Sequence, residues 1–165
     1  MSEIFSFPSP VNEKAARTVA TGAVLMGLAF VVTGWAWILV PLTYGFIARV
    51  LTGPSLSPLG QLATRVIAPR LGEPKLVAGP PKRFAQLIGA AFTITASILV
   101  ISGAPDAARI VIGMLVVAAS LEAFVGLCLG CIMFGQLMKV GVIPESVCVE
   151  CADITLRYPE LAEKA

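Results

Sequence analysis

The chain has 165 residues, of which 57% are hydrophobic and only 13% are charged, and its mean hydropathy is +0.89. Soluble domains carry about 25% charged residues, so this composition excludes an ordinary water-facing surface and favours a protein immersed in lipid. The net charge of +2 gives no indication of nucleic acid as a partner, and the absence of histidine leaves thiolates and carboxylates for chemistry at any site.

The first half of the chain predicts an extended arm followed by two membrane spans. Residues 1–14 are polar and contain two prolines, and they show no pattern of a cleavable signal peptide. Asn12 is the expected N-cap of a first span over residues 15–33, a length that matches ~30 Å of hydrocarbon. Two tryptophans then indicate a turn at the membrane–water interface, and a shorter second span follows over residues 38–51.

Residues 53–81 differ in composition from the apolar spans on either side, because they are rich in proline and in basic residues. Ser57 is the expected N-cap of a helix over about residues 58–68, ended by Pro69. Apolar residues recur there at helical spacing with polar residues on the opposite face: Leu59, Leu62, Val66 and Ile67 against Gln61, Thr64 and Arg65. The pattern predicts an amphipathic helix lying along the membrane interface, with a plain loop as the alternative.

The second half of the chain predicts a third span over residues 84–101 and an uninterrupted fourth helix from about residue 107 through residue 130. An extension of that helix to residue 139 stays open. The domain organisation is then an arm (1–14), a four-span membrane domain (15–139) and a tail in water (140–165). The predicted fold class is an all-α integral membrane protein with four transmembrane helices and an interfacial amphipathic helix between the second and the third.

The basic residues predict the orientation in the membrane. With four spans, Arg109 lies on one side, and all other lysines and arginines lie on the side of the termini: Lys14, Arg17, Arg49, Arg65, Arg70, Lys75, Lys82, Arg83, Lys139, Arg157 and Lys164. Loops rich in lysine and arginine stay in the cytoplasm. We therefore expect both termini and the long basic loop to be cytoplasmic.

All four cysteines of the chain fall into two Cys-x-x-Cys pairs, Cys128 with Cys131 and Cys148 with Cys151. The spacing is typical of a tetrahedral sulfur site for a metal, with zinc as the first choice and iron as the second. It is also typical of a dithiol that exchanges disulfides or carries sulfur as a persulfide. The remaining alternative is that the first pair consists of small buried residues, unrelated to the pair in the tail. Because the fourth helix delivers the first pair to the cytoplasmic boundary, all four can share one site.

Glu122 is the one carboxylate inside the predicted fourth span. An ionisable group in the membrane is costly and normally faces a partner inside the protein. Arg49, near the end of the second span, is the expected partner. The pair is interpreted as a structural ion pair, with proton transfer beside the thiols as the alternative.

Four segments carry a resemblance to a known family: FPSPVNEKAAR, LSPLGQLATRVIAPRLG, GPPKRFAQLIG and LEAFVGLCLGCIMFGQLMK. Together they resemble the bacterial membrane family catalogued as domain of unknown function 4395. The resemblance implies a four-span protein in the bacterial inner membrane, with a thioredoxin-like or rhodanese-like protein as a partner. It implies no established activity and no assigned site residues.

The preferred function is therefore a cytoplasmic four-cysteine site, working in thiol or sulfur redox chemistry or in metal-stabilised docking of a partner. One alternative is a small oligomeric transporter, with Glu122, Tyr44, Thr93 and Thr95 along its path. Another is a structural subunit of a larger membrane complex. Expected partners are the lipid bilayer and further copies of the chain or other subunits, and the cofactor is open.

Overall fold

Helices account for most of the chain in the computed structural model, which describes residues 9–148 and Cys151. In that part the α-helices are α1 (Glu13–Thr33), α2 (Leu39–Thr52), α3 (Pro58–Leu62), α4 (Ala68–Arg70), α5 (Gly79–Ile101), α6 (Pro105–Ser120) and α7 (Leu129–Lys139). Short 3₁₀ turns form at Ala36–Ile38 and Glu145–Val147, and π-helical turns at Ala63–Ile67 and Leu121–Val125. An antiparallel ladder pairs β1 (Val11–Asn12) with β2 (Leu76–Val77) and ties the arm to the loop before α5.

Both predicted N-caps are confirmed. The side chain of Asn12 accepts the backbone N–H of Lys14 at 3.0 Å and begins α1. Ser57 accepts the backbone N–H of Gly60 at 3.2 Å and begins α3. In each case the side-chain oxygen satisfies a backbone donor that has no partner within its own helix.

The helix predicted over residues 58–68 forms, but it extends over 58–70, and Pro69 does not end it. The π-helical turn before Pro69 is the reason. There the N–H of Ala68 bonds to the carbonyl of Ala63, five residues back. This wider turn is the local adjustment that accommodates a proline ring and its missing donor.

α5 begins at Gly79, five residues before the predicted start of the third span. Pro80 and Pro81 occupy its first turn, where a missing N–H costs nothing because those donors have no helical partner. The helix therefore includes Lys82 and Arg83, which the sequence had placed in the loop. This earlier start brings a lysine into the packed part of the molecule.

The prediction of an uninterrupted fourth helix through residue 130 was wrong. α6 continues through the π-helical turn and stops at Gly126, whose φ of 79° is the left-handed conformation that favours glycine. Arg17 of α1 donates to the backbone carbonyls of Ala123 and Phe124 at 3.1 and 2.9 Å, which satisfies acceptors freed at this end. A new helix, α7, then carries Cys131.

Three helical segments are long and apolar enough to cross a membrane: Glu13–Thr33, Gly79–Ile101 and Pro105–Val125. The segment Ala36–Thr52 is apolar but shorter. The structure is thus that of an all-α protein with at least three helices suited to a bilayer. The second of the four predicted spans stays a prediction.

Four helix termini meet at one end of the bundle, which we call the basic end: the starts of α1 and α5, the end of α2 and the end of the α6 segment. Arg17 links α1 to the α6 segment as described, and Arg83 of α5 donates to the carbonyl of Val50 in α2 at 2.9 Å. At the other end, Arg109 of α6 lies against Gly34 after α1. Between the ends, a core that includes Phe30, Leu42 and Ile112 is fully buried.

Candidate functional site

Cys128 is the N-cap of α7, and its sulfur faces the first turn of that helix. Its Sγ accepts the backbone N–H of Cys131 at 3.3 Å and lies 2.6 Å from the Sγ of Cys131. Both side chains are free thiols, with Cys128 buried and Cys131 partly exposed. A thiol at a helix N-terminus beside a second thiol is the arrangement that stabilises a thiolate.

The local sequence explains why Cys128 lies at the start of α7. The left-handed Gly126 ends the preceding helical segment, and Cys128 has the extended backbone (φ −90°, ψ 102°) of an N-cap. α7 then lies close against α5, because a Cβ at Gly130 would sit 2.6 Å from the Cα of Ala85. The glycine therefore allows the start of α7 to press on α5 beside Lys82.

The Lys82 ammonium forms a partly buried ion pair with Glu122, at 2.6 Å between Nζ and Oε1. The prediction that Arg49 is the partner of Glu122 was wrong. Arg49 donates instead to Oε1 of Gln86 at 2.7 Å and to Oγ of Ser57 at 3.1 Å. The reason is the early start of α5, which places a lysine one turn inside the helix and opposite the carboxylate.

The pKa values of the two thiols are shifted in opposite directions. The hydrogen bond from the Cys131 thiol lowers the pKa of Cys128 below its ordinary value; Lys82 and the Cys131 backbone N–H act in the same direction, while burial and Glu122 oppose them. The same hydrogen bond, together with burial, raises the pKa of Cys131 well above its ordinary value. Of the two thiols, Cys128 therefore loses its proton more readily, and Cys131 retains its proton.

Two cavities meet at Cys128. An open groove of about 620 Å³ is lined by both thiols together with Lys82, Lys75 and Ile132, among others. A more enclosed cavity of about 190 Å³ lies between the helices, and apolar side chains dominate its wall, although Glu122 and Cys128 also contribute. Both thiols therefore contribute to the wall of the groove, with Cys131 the more exposed of the two.

The second cysteine pair forms a disulfide between Cys148 and Cys151. Within residues 9–148 and Cys151, no three histidine, cysteine, aspartate or glutamate side chains form a group that could hold a metal ion. As arranged, the four cysteines are two pairs and do not fit the tetrahedral site of a zinc or iron ion. The rest of the tail lies outside the described residues.

Lys82 and Gly126 are the functional residues that sequence reasoning missed. A signal for Lys82 was present, because Pro80 and Pro81 are typical of the first turn of a helix and the lysine follows them directly. For Gly126 the local signal was ambiguous. Other glycines, such as Gly113, lie inside α6 without ending it.

Comparison with known families matches residues 11–139 to a family with the description "Domain of unknown function (DUF4395)". No curated protein and no solved structure shows a significant match. The match covers the helical bundle and the Cys128–Cys131 pair, and it ends before the second cysteine pair.

Proposed function

Since the chain belongs to the family described as domain of unknown function 4395, whose description assigns no activity, we propose its function from its own residues: thiol–disulfide exchange at the surface of a membrane. One observation carries the proposal. The Cys128 sulfur is the N-cap of α7 and lies 2.6 Å from the Cys131 sulfur, in an open groove. A Cys-x-x-Cys pair at a helix N-terminus, with the pKa of one thiol lowered, is the arrangement found in disulfide oxidoreductases.

The order of the two steps in the reaction follows from the pKa directions of Cys128 and Cys131. The Cys128 thiolate attacks one sulfur of a substrate disulfide in the groove, forms a mixed disulfide, and releases the first substrate thiolate. Cys131 then attacks the Cys128 sulfur, which forms the Cys128–Cys131 disulfide and releases the second substrate thiolate. The protons lost by Cys128 and Cys131 end on the two substrate thiols, so the substrate is reduced by two electrons and the pair is oxidised by two. The reverse sequence oxidises a substrate dithiol.

Two disulfides are candidate substrates in this proposal, one in the same chain and one in another protein. The tail disulfide, Cys148–Cys151, is a substrate within the same chain. A thioredoxin-like or rhodanese-like protein, the partner that the family resemblance implies, is an external one. Metal-stabilised docking has less support, because the cysteines do not fit a metal, and transport has less support because Glu122 is paired with Lys82.

The membrane arrangement in this proposal has four spans. The segment Ala36–Thr52 would extend about 25 Å at 1.5 Å per residue, slightly less than the ~30 Å hydrocarbon layer. It runs antiparallel to α5, since Arg83 near the start of α5 bonds to Val50 near the end of α2. The basic end, with the thiols beside it, faces the cytoplasm by the positive-inside rule.

The test is the reactivity of the first pair in a Cys148→Ser/Cys151→Ser background. Iodoacetamide should alkylate Cys128 down to a lower pH than an ordinary thiol, because its lowered pKa keeps the thiolate present there. Cys131 should stay unreactive over the same range. Glutathione disulfide should convert the pair to a disulfide, as measured by the loss of two free thiols.

Single variants in the same background separate the roles. Cys131→Ser should trap a stable mixed disulfide between Cys128 and glutathione, because the second thiol that resolves it is gone. Cys128→Ser should react slowly. The proposal is overturned if both thiols titrate as ordinary ones and glutathione disulfide leaves them free, or if bound metal in the native protein masks them.

A further inference from the structure

Arg49 is a buried cation without a counterion of its own. Its side chain is 5% exposed, and its ring neighbour is Phe46, whose centroid lies 4.7 Å from the guanidinium carbon. Nε and Nη1 donate to the neutral acceptors Gln86 and Ser57. Among the residues that the structure describes, no carboxylate lies within 4.0 Å of the guanidinium, and the buried Nη2 has no hydrogen-bond partner.

The carboxylates of Glu13 and Glu122 at the basic end are paired with cations other than Arg49. Lys82 is 7% exposed and bonds to the partly buried carboxylate of Glu122, whereas Glu13, of similar burial, bonds to Lys75. A buried charge without a partner is costly, and proteins normally compensate it with an opposite charge and hydrogen bonds. A negative charge beside Arg49 would compensate its guanidinium and give Nη2 an acceptor.

A cavity lies where that charge is needed. It has a volume of about 260 Å³ and is enclosed by the arm, α1, the end of α2, the helical segment at 58–70 and the start of α5. Arg49, Lys82, Thr64 and Gln86 contribute to its wall. Because Oε1 of Gln86 accepts from Arg49, the Nε2 hydrogens of Gln86 are available to donate.

We propose that this cavity binds a tetrahedral oxyanion, held by Arg49 and Lys82. The guanidinium fork matches the oxygen spacing of phosphate or sulfate. Most of the wall is apolar, and Thr64 and Gln86 are among its neutral donors. The cavity is also larger than a single halide ion requires. Free phosphate or sulfate and the phosphate of a lipid headgroup are the two sources of this chemistry. The site shares Lys82 with the thiol groove, but no thiol takes part in binding the oxyanion.

The test is a titration of the full chain in neutral detergent with sodium phosphate and with sodium sulfate. Sodium chloride holds the ionic strength constant. Thermal unfolding temperature should rise saturably with either oxyanion, because a ligand that binds only the folded state stabilises it. Calorimetry on the same samples should show phosphate and sulfate competing for one site. Reconstitution in phosphatidylcholine vesicles, with and without phosphatidic acid, tests the lipid as the source.

Variants of Arg49 test whether its guanidinium binds the oxyanion. Arg49→Gln should weaken phosphate binding by about tenfold or more, the loss expected for charged hydrogen bonds. Arg49→Lys keeps the charge without the fork, and it should fall between the wild type and Arg49→Gln. Arg65→Gln, a change of an exposed arginine at the same end, is the matched control and should bind as wild type does.

The outcomes decide the proposal without reference to thiol chemistry. Saturable binding that Arg49→Gln alone loses supports the free oxyanion. Stabilisation by phosphatidic acid but by neither salt supports the lipid headgroup. If wild type shows no saturable response to phosphate, sulfate or phosphatidic acid, or if Arg65→Gln weakens binding as much as Arg49→Gln, the site is disproved. No thiol reaction enters these measurements, so this failure would leave the thiol-exchange proposal standing.

Discussion

At the scale of single residues, the pKa of Cys128 depends first on the hydrogen bond from Cys131 and on burial, and then on two nearby charges of opposite sign. Lys82 favours the thiolate, whereas Glu122 opposes it, and the two are bonded to each other at 2.6 Å. Each charge therefore acts both on the thiol and on the stability of the fold. Substitution of one at a time separates these effects.

We predict that Lys82→Gln and Glu122→Gln shift the pH dependence of Cys128 alkylation in opposite directions. Loss of the ammonium removes a positive charge and moves the profile to higher pH, whereas loss of the carboxylate moves it to lower pH. Each single change should also destabilise the fold by about 3–5 kcal/mol, because the other charge is left buried without a partner. Thermal unfolding of the double variant should show a loss smaller than the sum of the two.

The control for this experiment is Arg65→Gln, which removes an exposed positive charge. It should change neither the pH dependence of Cys128 alkylation nor the stability of the fold. Shifts of equal sign in the two single variants would contradict the electrostatic account. Additive stability losses would show that Lys82 and Glu122 are not partners.

At the scale of elements, the break at Gly126 creates the site. If α6 continued, Cys128 would lie inside a helix, and its sulfur would not cap one. Instead the left-handed residue turns the chain, and α7 starts afresh with a thiol at its N-terminus. The break is itself supported by Arg17, which bonds to two carbonyls before it.

We predict that Gly126→Ala destabilises the protein by about 1–2 kcal/mol, the cost of a side chain in the left-handed conformation. An added Cβ would also approach Oε1 of Glu13 at 3.2 Å. The alkylation of Cys128 at neutral pH should slow, because relaxation of the turn weakens its N-cap position. Thermal unfolding and alkylation rates in detergent measure the two effects.

Gly135→Ala is the matched control in α7, since no atom lies within 4 Å of its added Cβ and its φ is not left-handed. It should be neutral or stabilising by up to about 1 kcal/mol through helix propensity. If Gly126→Ala behaves in the same way, the turn does not depend on glycine.

At the scale of the whole molecule, the polar contacts gather at the basic end while the helix surfaces between the ends are apolar. Exposed apolar side chains occur along all three long helices, among them Leu25, Val32, Ile98, Ile110 and Val117. A surface of this kind suits lipid. The two ends then differ in charge, which is the feature that orients a protein in a membrane.

We predict that Ser102→Cys, in the turn between α5 and α6, reacts with a membrane-impermeant maleimide from outside intact cells. Glu73→Cys, in the loop before β2, should react only after permeabilisation. Both are exposed positions, and the four native cysteines are replaced by serine in this experiment. Labelling of Glu73→Cys from outside would reverse the orientation and move the Cys128–Cys131 pair out of the cytoplasm.

Local patterns in the sequence were sufficient for much of the fold. The length of each apolar run predicted the long helices, and the side chains of Asn12 and Ser57 predicted where two helices begin. The spacing of Cys128 and Cys131 predicted that their sulfurs lie together. These features depend on residues a few positions apart, so they can be read from one stretch of chain at a time.

The ion pair, the break and the environment of the thiol were decided only by the tertiary structure. Glu122 had two possible cations, and the choice of Lys82 over Arg49 depended on where α5 begins and which face it turns to α6. Gly126 adopts the left-handed conformation where Arg17, more than a hundred residues earlier, bonds to the carbonyls before it. Such choices depend on contacts between distant residues, and the sum of many weak contacts over the whole bundle selects among locally acceptable alternatives.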